Sequence, residues 1–428
     1  MRALTHNPGE DVLLSTDHGA ASLRALQQPD WTDHAQLRDV CGRLITDVAP
    51  VDAAASRALR DELACAARGD GFVLIGGDCA ERFGDATPPR VIEKAVHLHR
   101  IAERIERATG VPTTRIGRFG GQFAKPRSQA YEELSDGRLV PSYRGDAVNG
   151  FASDDRRHDP TRLLVAHRRT SAAADALLGW DRQRHEAATR GRRQPPARTY
   201  LSHEALLLDY ERALLRRGGT HASSGHYLWI GDRTRHPDDA HVAFAASIAN
   251  PVGVKLGASV DPAHVRALAE ALDPPHAHRP GRLSFIVRMG AGRCERLLPP
   301  VIEALGSRAG DVVWILDPMH GNGRTNVHGQ KTRLMTDIEH ELCEFFAVLR
   351  RYGLSPGGIH LEMTPDDVTE CLYGTDDLDR WLPTYRSACD PRLDPGQAAA
   401  VADVLAELLR CARRPRAVGG RGRGEITA

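Results

Sequence analysis

Six short apolar runs in this chain each end on glycine or on a residue able to bind a metal or an anion. They are GFVLIGGDCAER (71–82), HYLWIGDRTR (226–235), PVGVKLG (251–257), LSFIVRMG (283–290), DVVWILDPMHGN (311–322) and GGIHLEMT (357–364). Two weaker runs, TTRIGRFGG (113–121) and TYLSHE (199–204), have the same form. Apolar runs without polar alternation belong to strands buried on both faces, as in a parallel sheet covered by helices. Helical patterns such as DPAHVRALAEAL and TRLMTDIEHELCEFFAVLRRYG lie between them. An open doubly wound sheet gathers its chemistry at one switch point, whereas a (β/α)8 barrel loads it at the C-terminal ends of its strands. The pattern therefore predicts an α/β fold, a (β/α)8 TIM barrel with extra N-terminal and inserted helical segments.

A length of 428 residues suits one large barrel with decorations. Residues 21–412 are expected to form the catalytic barrel, with an insertion near 129–200. Residues 1–20 and the Gly/Arg-rich stretch 413–428 have little to bury and are expected to be disordered. The Arg-dense stretch 181–198 reads as an exposed excursion after a helix over TSAAADALLGW. No run approaches the roughly 18 apolar residues of a membrane span, and the first residues lack a secretory signal, so a cytoplasmic protein is expected. The 57 basic and 56 acidic residues nearly cancel, which argues against nucleic acid or a membrane surface as partner. The eight Cys form no CxxC pair and read as mostly buried thiols.

Only four of the 57 basic residues are Lys: Lys94, Lys125, Lys255 and Lys331. In a chain so biased toward Arg, a Lys that persists is a candidate for work that needs a compact ammonium. Lys255 stands inside an apolar run, where a charge is costly unless paired or functional. Arg118, Lys125, Arg127, Arg233, Lys255 and Arg288 stand at or just past the runs and are candidates for phosphate or carboxylate. GGQFAKPRS (120–128) adds glycine, serine and backbone donors. Cys79, His320 and Glu362 each follow an apolar run, and Asp390, in ACDPR, follows a helix-like stretch. One thiolate, one imidazole and two carboxylates suit Mn2+, Co2+, Fe2+ or Zn2+. Each residue alone has a plainer reading as core filler or surface charge; only the barrel brings them to one face. SHEALLLDYE (202–211) reads as a helix capped by Ser202, and YRGDAVNG (143–150) as a polar turn near the site. Neither a GxSxG elbow nor a P-loop occurs.

Taken in order, GGDCAERF, GRFGGQFAKPRS, YRGDAVNGF, SHEALLLDYE, LWIGDRTR, ANPVGVKLG, DPMHGNGR, GIHLEMTPDDVTEC and ACDPRL resemble the class II (plant-type) 3-deoxy-D-arabino-heptulosonate 7-phosphate (DAHP) synthases. The resemblance runs from LRALQQPDW (23–31) to about residue 410. It implies a (β/α)8 barrel that condenses phosphoenolpyruvate with erythrose 4-phosphate at a divalent metal, the entry step of the shikimate pathway. Carried over position by position, it implies metal ligands at Cys79, His320, Glu362 and Asp390. It places phosphoenolpyruvate on Arg118, Arg233, Lys255 and Arg288 beside Trp229, and the sugar phosphate on Lys125, Pro126, Arg127 and Ser128. Cys79, Lys255, His320 and Asp232 are the implied catalytic set, with Glu204 as a further proton carrier. The implied ion is Mn2+ or Co2+, with Fe2+, Zn2+ or Cd2+ as alternatives, and the implied assembly is a homodimer or homotetramer.

Two departures lie on the acceptor side. Asp232 stands where the family usually carries Glu, and Arg169 stands where a small amide is expected near the sugar phosphate. With the short segment before LRALQQPDW, these departures lead us to expect a member serving secondary metabolism. The alternatives are an aminoDAHP synthase, which uses the imino analogue of the acceptor, and a non-catalytic barrel that binds phosphometabolites.

Overall fold

The computed structural model describes residues 12–14, 23–134, 136–191 and 197–413. The ends expected to be disordered lie almost entirely outside these residues. Eight strands close a barrel: β1 (Phe72–Gly77), β2 (Thr113–Arg118), β3 (Thr199–Glu204), β4 (Tyr227–Ile230), β5 (Val252–Gly257), β6 (Leu283–Arg288), β7 (Val313–Leu316) and β8 (Pro356–Glu362). All neighbours are parallel and follow chain order, β8 returning to pair with β1. These are the eight runs identified in the sequence.

Among the described residues, ten α-helices accompany them: α1 (His34–Thr46), α2 (Ala53–Ala67), α3 (Pro88–Thr109), α4 (Arg162–Arg190), α5 (Leu208–Ala213), α6 (Ala240–Ser247), α7 (Pro262–Leu272), α8 (Cys294–Leu305), α9 (Met335–Arg351) and α10 (Pro395–Arg413). Strand residues divide between two cores, which is why the runs show no polar alternation. Val73, Ile75, Ile116, Tyr200, Ile286 and Ile315 pack together inside the barrel with Leu59, Leu63 and Ala66 of α2. Their neighbours Phe72, Leu74, Phe285, Trp314 and Leu316 pack outward with the helices. Each fully buried side chain of this size contributes about 1.5–3 kcal/mol of transfer free energy.

The segment between β2 and β3 holds a small hairpin (Tyr131–Glu133 with Leu139–Pro141), the turn at 143–150 and α4. The sequence reading stopped this helix too early. DRQRHEAATR (181–190) continues α4, because its Arg, Ala, Glu and Gln residues favour helix and Glu186 pairs with Arg190 one turn on. Asp181 is buried there and accepts a hydrogen bond from Thr199 N at 3.0 Å, tying α4 to β3. Ser202 is likewise no cap. It lies within β3 and donates to the Gly117 carbonyl at 3.0 Å, and α5 begins only at Leu208. The stretch before Asp390 is loop, with a single 3-10 turn at Thr375–Asp377. Four of the eight thiols are buried (Cys79, Cys294, Cys371, Cys389), while Cys343 and Cys411 are exposed on the outer helices α9 and α10. No helix among the described residues is long and apolar enough to cross a membrane.

Candidate active site

β1 ends at Gly77, whose φ of +150° and contact with β2 leave no room for a side chain. A Cβ there would stand 2.4 Å from the Arg118 carbonyl oxygen. The chain then turns inward and delivers Cys79 to the barrel's C-terminal mouth. Glu362 is the last residue of β8, His320 lies four residues past β7, and Asp390 comes from the long loop after β8. One donor atom from each of these four lies within 4.8 Å of every other.

The group is organised for a cation. Cys79 Sγ is 3.3 Å from Asp390 Oδ2, and His320 Nε2 is 2.8 Å from Glu362 Oε1. The other ring nitrogen, His320 Nδ1, lies 2.7 Å from Asp317 Oδ2, an arrangement that orients a ligating imidazole. Both Glu362 oxygens are buried and accept no well-aligned hydrogen bond, although Arg333 (2.7 Å) and Arg118 (3.1 Å) face them. Burial would raise the Glu362 carboxyl, but His320, Arg333 and Arg118 outweigh it and hold the group ionised. Asp390 is held far below the usual carboxylate range, burial being overcome by Lys125, Arg333 and Lys331. Burial, then Asp390 and Glu362, push the Cys79 thiol well up, so a thiolate here calls for a cation beside it. Soft thiolate, imidazole and two carboxylates fit a divalent transition metal.

Above this group opens a cavity of about 540 Å³. Arg118, Lys125, Pro126, Arg127, Ser128, Glu204, Trp229, Asp232, Arg233, Lys255, Arg288, His320, Cys79 and Asp390 line it, and Glu362 lies buried at its edge. The structure thus brings every residue nominated from the sequence to one place. Two residues singled out for other reasons do not line the cavity: Arg169, on α4, and Lys94, on α3. The turn at 143–150 does approach the site, with Tyr143 packing against Cys79 and Cys389.

The cations are individually placed. Arg118, ending β2, donates to the Cys79 carbonyl at 2.7 Å and stands 2.7 Å from His360 Nε2. Lys255 pairs with Asp317 and lies 3.3 Å from His360 Nδ1; burial pulls its ammonium down to about 8 against the pull of Asp317. The Trp229 ring lies 5.3 Å from the Arg118 guanidinium and 5.7 Å from Lys255 Nζ, so its face supports two cations at once. Lys125 Nζ contacts Cys79 Sγ at 2.5 Å and also Asp390. Asp232 is held low by Arg235 (2.8 Å) and Arg288 (3.1 Å), which overcome its burial, and it also accepts from Gly257 N. Glu204 behaves oppositely: burial raises its carboxyl, and Gly231 leaves it space, since a Cβ there would meet its Oε1 at 2.1 Å.

Sequence reasoning missed Arg333, Asp317, His360 and Gln122. Asp317 and His360 carried a signal, a polar residue in or ending an apolar run. Arg333 carried none, being one of 53 arginines. Gln122 steers Glu204 by accepting its backbone N–H at 2.9 Å.

The family model described as the class-II DAHP synthetase family matches residues 16–190 and 179–406. The phospho-2-dehydro-3-deoxyheptonate aldolase AroG of Mycolicibacterium smegmatis is 38% identical to this chain, the alignment covering 94% of this chain and 96% of that relative. The phospho-2-dehydro-3-deoxyheptonate aldolase of Streptomyces coelicolor is also 38% identical, covering 91% and 96%. A probable enzyme of the same name from Pseudomonas fluorescens is 40% identical, covering 87% and 92%. Among solved structures, the phospho-2-dehydro-3-deoxyheptonate aldolase of Francisella tularensis SCHU S4 superposes with a TM-score of 0.56 at 15% identity. It covers 87% of this chain and 97% of its own, a likeness of fold.

Proposed function

The chain belongs to the class-II DAHP synthetase family, and on that footing we propose that it condenses phosphoenolpyruvate with erythrose 4-phosphate. C3 of phosphoenolpyruvate attacks the aldehyde carbon, water adds at C2, and phosphate leaves by C–O cleavage, giving DAHP and inorganic phosphate. The observation that carries this reading is the cavity itself. Four ligand-type side chains meet at its base, and two sets of cations line its wall.

Cys79, His320, Glu362 and Asp390 would hold a divalent ion, Mn2+ or Co2+ by our assignment. When bound, it supplies Lewis acidity toward the acceptor's carbonyl oxygen. Arg118, Lys255, Arg288 and Arg233 would hold the phosphate and carboxylate of phosphoenolpyruvate, with Trp229 backing the first two. The Lys125–Ser128 loop would hold the acceptor's phosphate. Two multiply charged substrates repel each other; opposed clusters of fixed cations offset that repulsion and set the attack geometry. Glu204, the buried carboxyl with a raised pKa, is the group we assign to proton transfer. Asp232 stays ionised and paired, so its part in catalysis is to aim Arg288.

The test is direct. Protein loaded in turn with Mn2+, Co2+, Fe2+ and Zn2+ should consume phosphoenolpyruvate and release phosphate only when erythrose 4-phosphate is present. Absence of turnover with every ion would overturn the proposal. Efficient use of the acceptor's imino analogue, with poor use of erythrose 4-phosphate itself, would assign the chain to amino-sugar formation instead.

A further inference from the structure

Gln27 adopts φ of 62°, one of two positive-φ residues other than glycine among the described residues. A side chain with a Cβ is disfavoured there, and glycine would fit without strain. Strain kept at such a position directs attention to what the side chain does. Gln27 Oε1 accepts the Arg127 backbone N–H at 2.8 Å, and the Gln27 carbonyl accepts from an Arg144 Nη at 2.7 Å. The Arg144 carbonyl in turn accepts the Lys125 N–H at 2.9 Å. These three bonds close a ring around Pro126, which has no N–H and a fixed φ. Backbone on both sides of Pro126 is thereby pinned.

The segment carrying Gln27 is itself anchored. Gln28 Oε1 accepts from Leu208 N at 3.0 Å, and its amide donates to the Leu206 carbonyl at 2.8 Å, just past the end of β3. Trp31, buried, donates from Nε1 to Asp209 at 3.1 Å. Arg24 pairs with Asp239 at 3.3 Å. The strap therefore references the loop to the segments that follow the neighbouring strands β3 and β4.

We infer that Gln27 is a positioning residue for the Lys125–Ser128 loop and so for recognition of the acceptor's phosphate, an inference that rests on the acceptor role proposed for that loop. From its left-handed backbone, Gln27 holds that loop directly through its side-chain oxygen and indirectly through its carbonyl, by way of Arg144.

Two variants separate this role from a structural one. Gln27→Gly removes the acceptor and relieves the backbone; Gln27→Met removes the acceptor and keeps the strain. Both should raise KM for erythrose 4-phosphate by about ten-fold, the size of one net hydrogen bond. KM for phosphoenolpyruvate should stay within about two-fold in both, and kcat should fall by less than KM rises. Amide hydrogen exchange over 125–128 should speed up in both, with β2 unchanged. A merely structural role would make the kinetic defect follow thermal stability, sparing Gln27→Gly. That pattern, or an unchanged KM for erythrose 4-phosphate in both variants beside an active wild type, would overturn the inference alone. An inactive wild type would overturn the functional reading and this inference together.

Discussion

The Arg333 guanidinium stands 2.7 Å from Glu362 Oε2, with both side chains almost wholly closed to solvent. Arg333 Nε also donates to the Met319 carbonyl at 2.7 Å, beside His320, and an Nη donates to the Pro391 carbonyl, beside Asp390. One buried cation therefore ties Glu362 to the backbone beside His320 and beside Asp390, three of the four residues proposed to hold the metal. Arg333→Met should destabilise the metal-free protein by about 3–5 kcal/mol, because the Glu362 charge is left buried with less compensation. Arg333→Lys keeps the charge and loses the fork, so the loss should be smaller. Saturating divalent metal should restore more stability to Arg333→Met than it adds to the wild type. Chemical denaturation with and without metal measures all three; a loss under about 1 kcal/mol would remove Arg333 from this role.

Cys79→Ser should leave the fold intact and reduce divalent-metal affinity by at least about 100-fold, since even outer partners of a metal site contribute 10–100-fold. Its raised thiol implies that binding expels a proton, so affinity in the wild type should also weaken as pH falls. Titration calorimetry in buffers of different ionisation enthalpy reads both effects. Unchanged affinity in Cys79→Ser would take Cys79 out of the ligand set.

Lys255 sets an alkaline limit. Burial lowers its ammonium from 10.5 to about 8, so the charge is present below that pH and lost above it. The kcat/KM for phosphoenolpyruvate, which reports the free enzyme, should fall as pH rises through about 8. Stability moves the other way: between about 8 and 10.5 the unfolded chain binds the proton and the folded one does not, so this group's penalty shrinks as pH rises. Arg at position 255 stays charged, and the limb should vanish in Lys255→Arg even if that variant is slower. A limb of the same position in both proteins would assign it to another group.

Lys94 and Lys331 make a controlled pair. Lys94 Nζ is buried between Asp78 (2.6 Å) and Glu81 (2.8 Å), and Glu81 in turn accepts the Gly120 and Gly121 N–H groups ahead of the Lys125 loop. Lys331 pairs with Asp390 at 3.0 Å, but its side chain is 54% exposed. Lys94→Met should cost about 3–5 kcal/mol of stability and Lys331→Met less than about 1 kcal/mol. Urea denaturation gives both numbers, and equal losses would contradict the burial argument.

Much of this site is legible in the sequence. Cys79, His320 and Glu362 follow apolar runs, and in a barrel strand ends converge whatever lies between them. Lys255 was legible because an ammonium inside such a run demands a partner or a purpose. Lys94 had no assignable role, since its helix looked ordinary and its partners Asp78 and Glu81 come from the loop after β1. The Arg-dense stretch 181–198 reads as an exposed excursion from its charge alone, and exposed charge is equally compatible with the outer face of α4, which holds residues up to Arg190.

By itself, then, the sequence determined the eight strands, their parallel arrangement and the residues that cap them. Burial on two faces must be written into consecutive residues, and that signal is local. Only the tertiary structure decided the partners: Arg333 with Glu362, Lys94 with Asp78 and Glu81, Gln27 with Arg127. An ion pair or a loop tether depends on distances of a few ångströms between residues that can be far apart in the chain, and spacing along a chain carries no record of them.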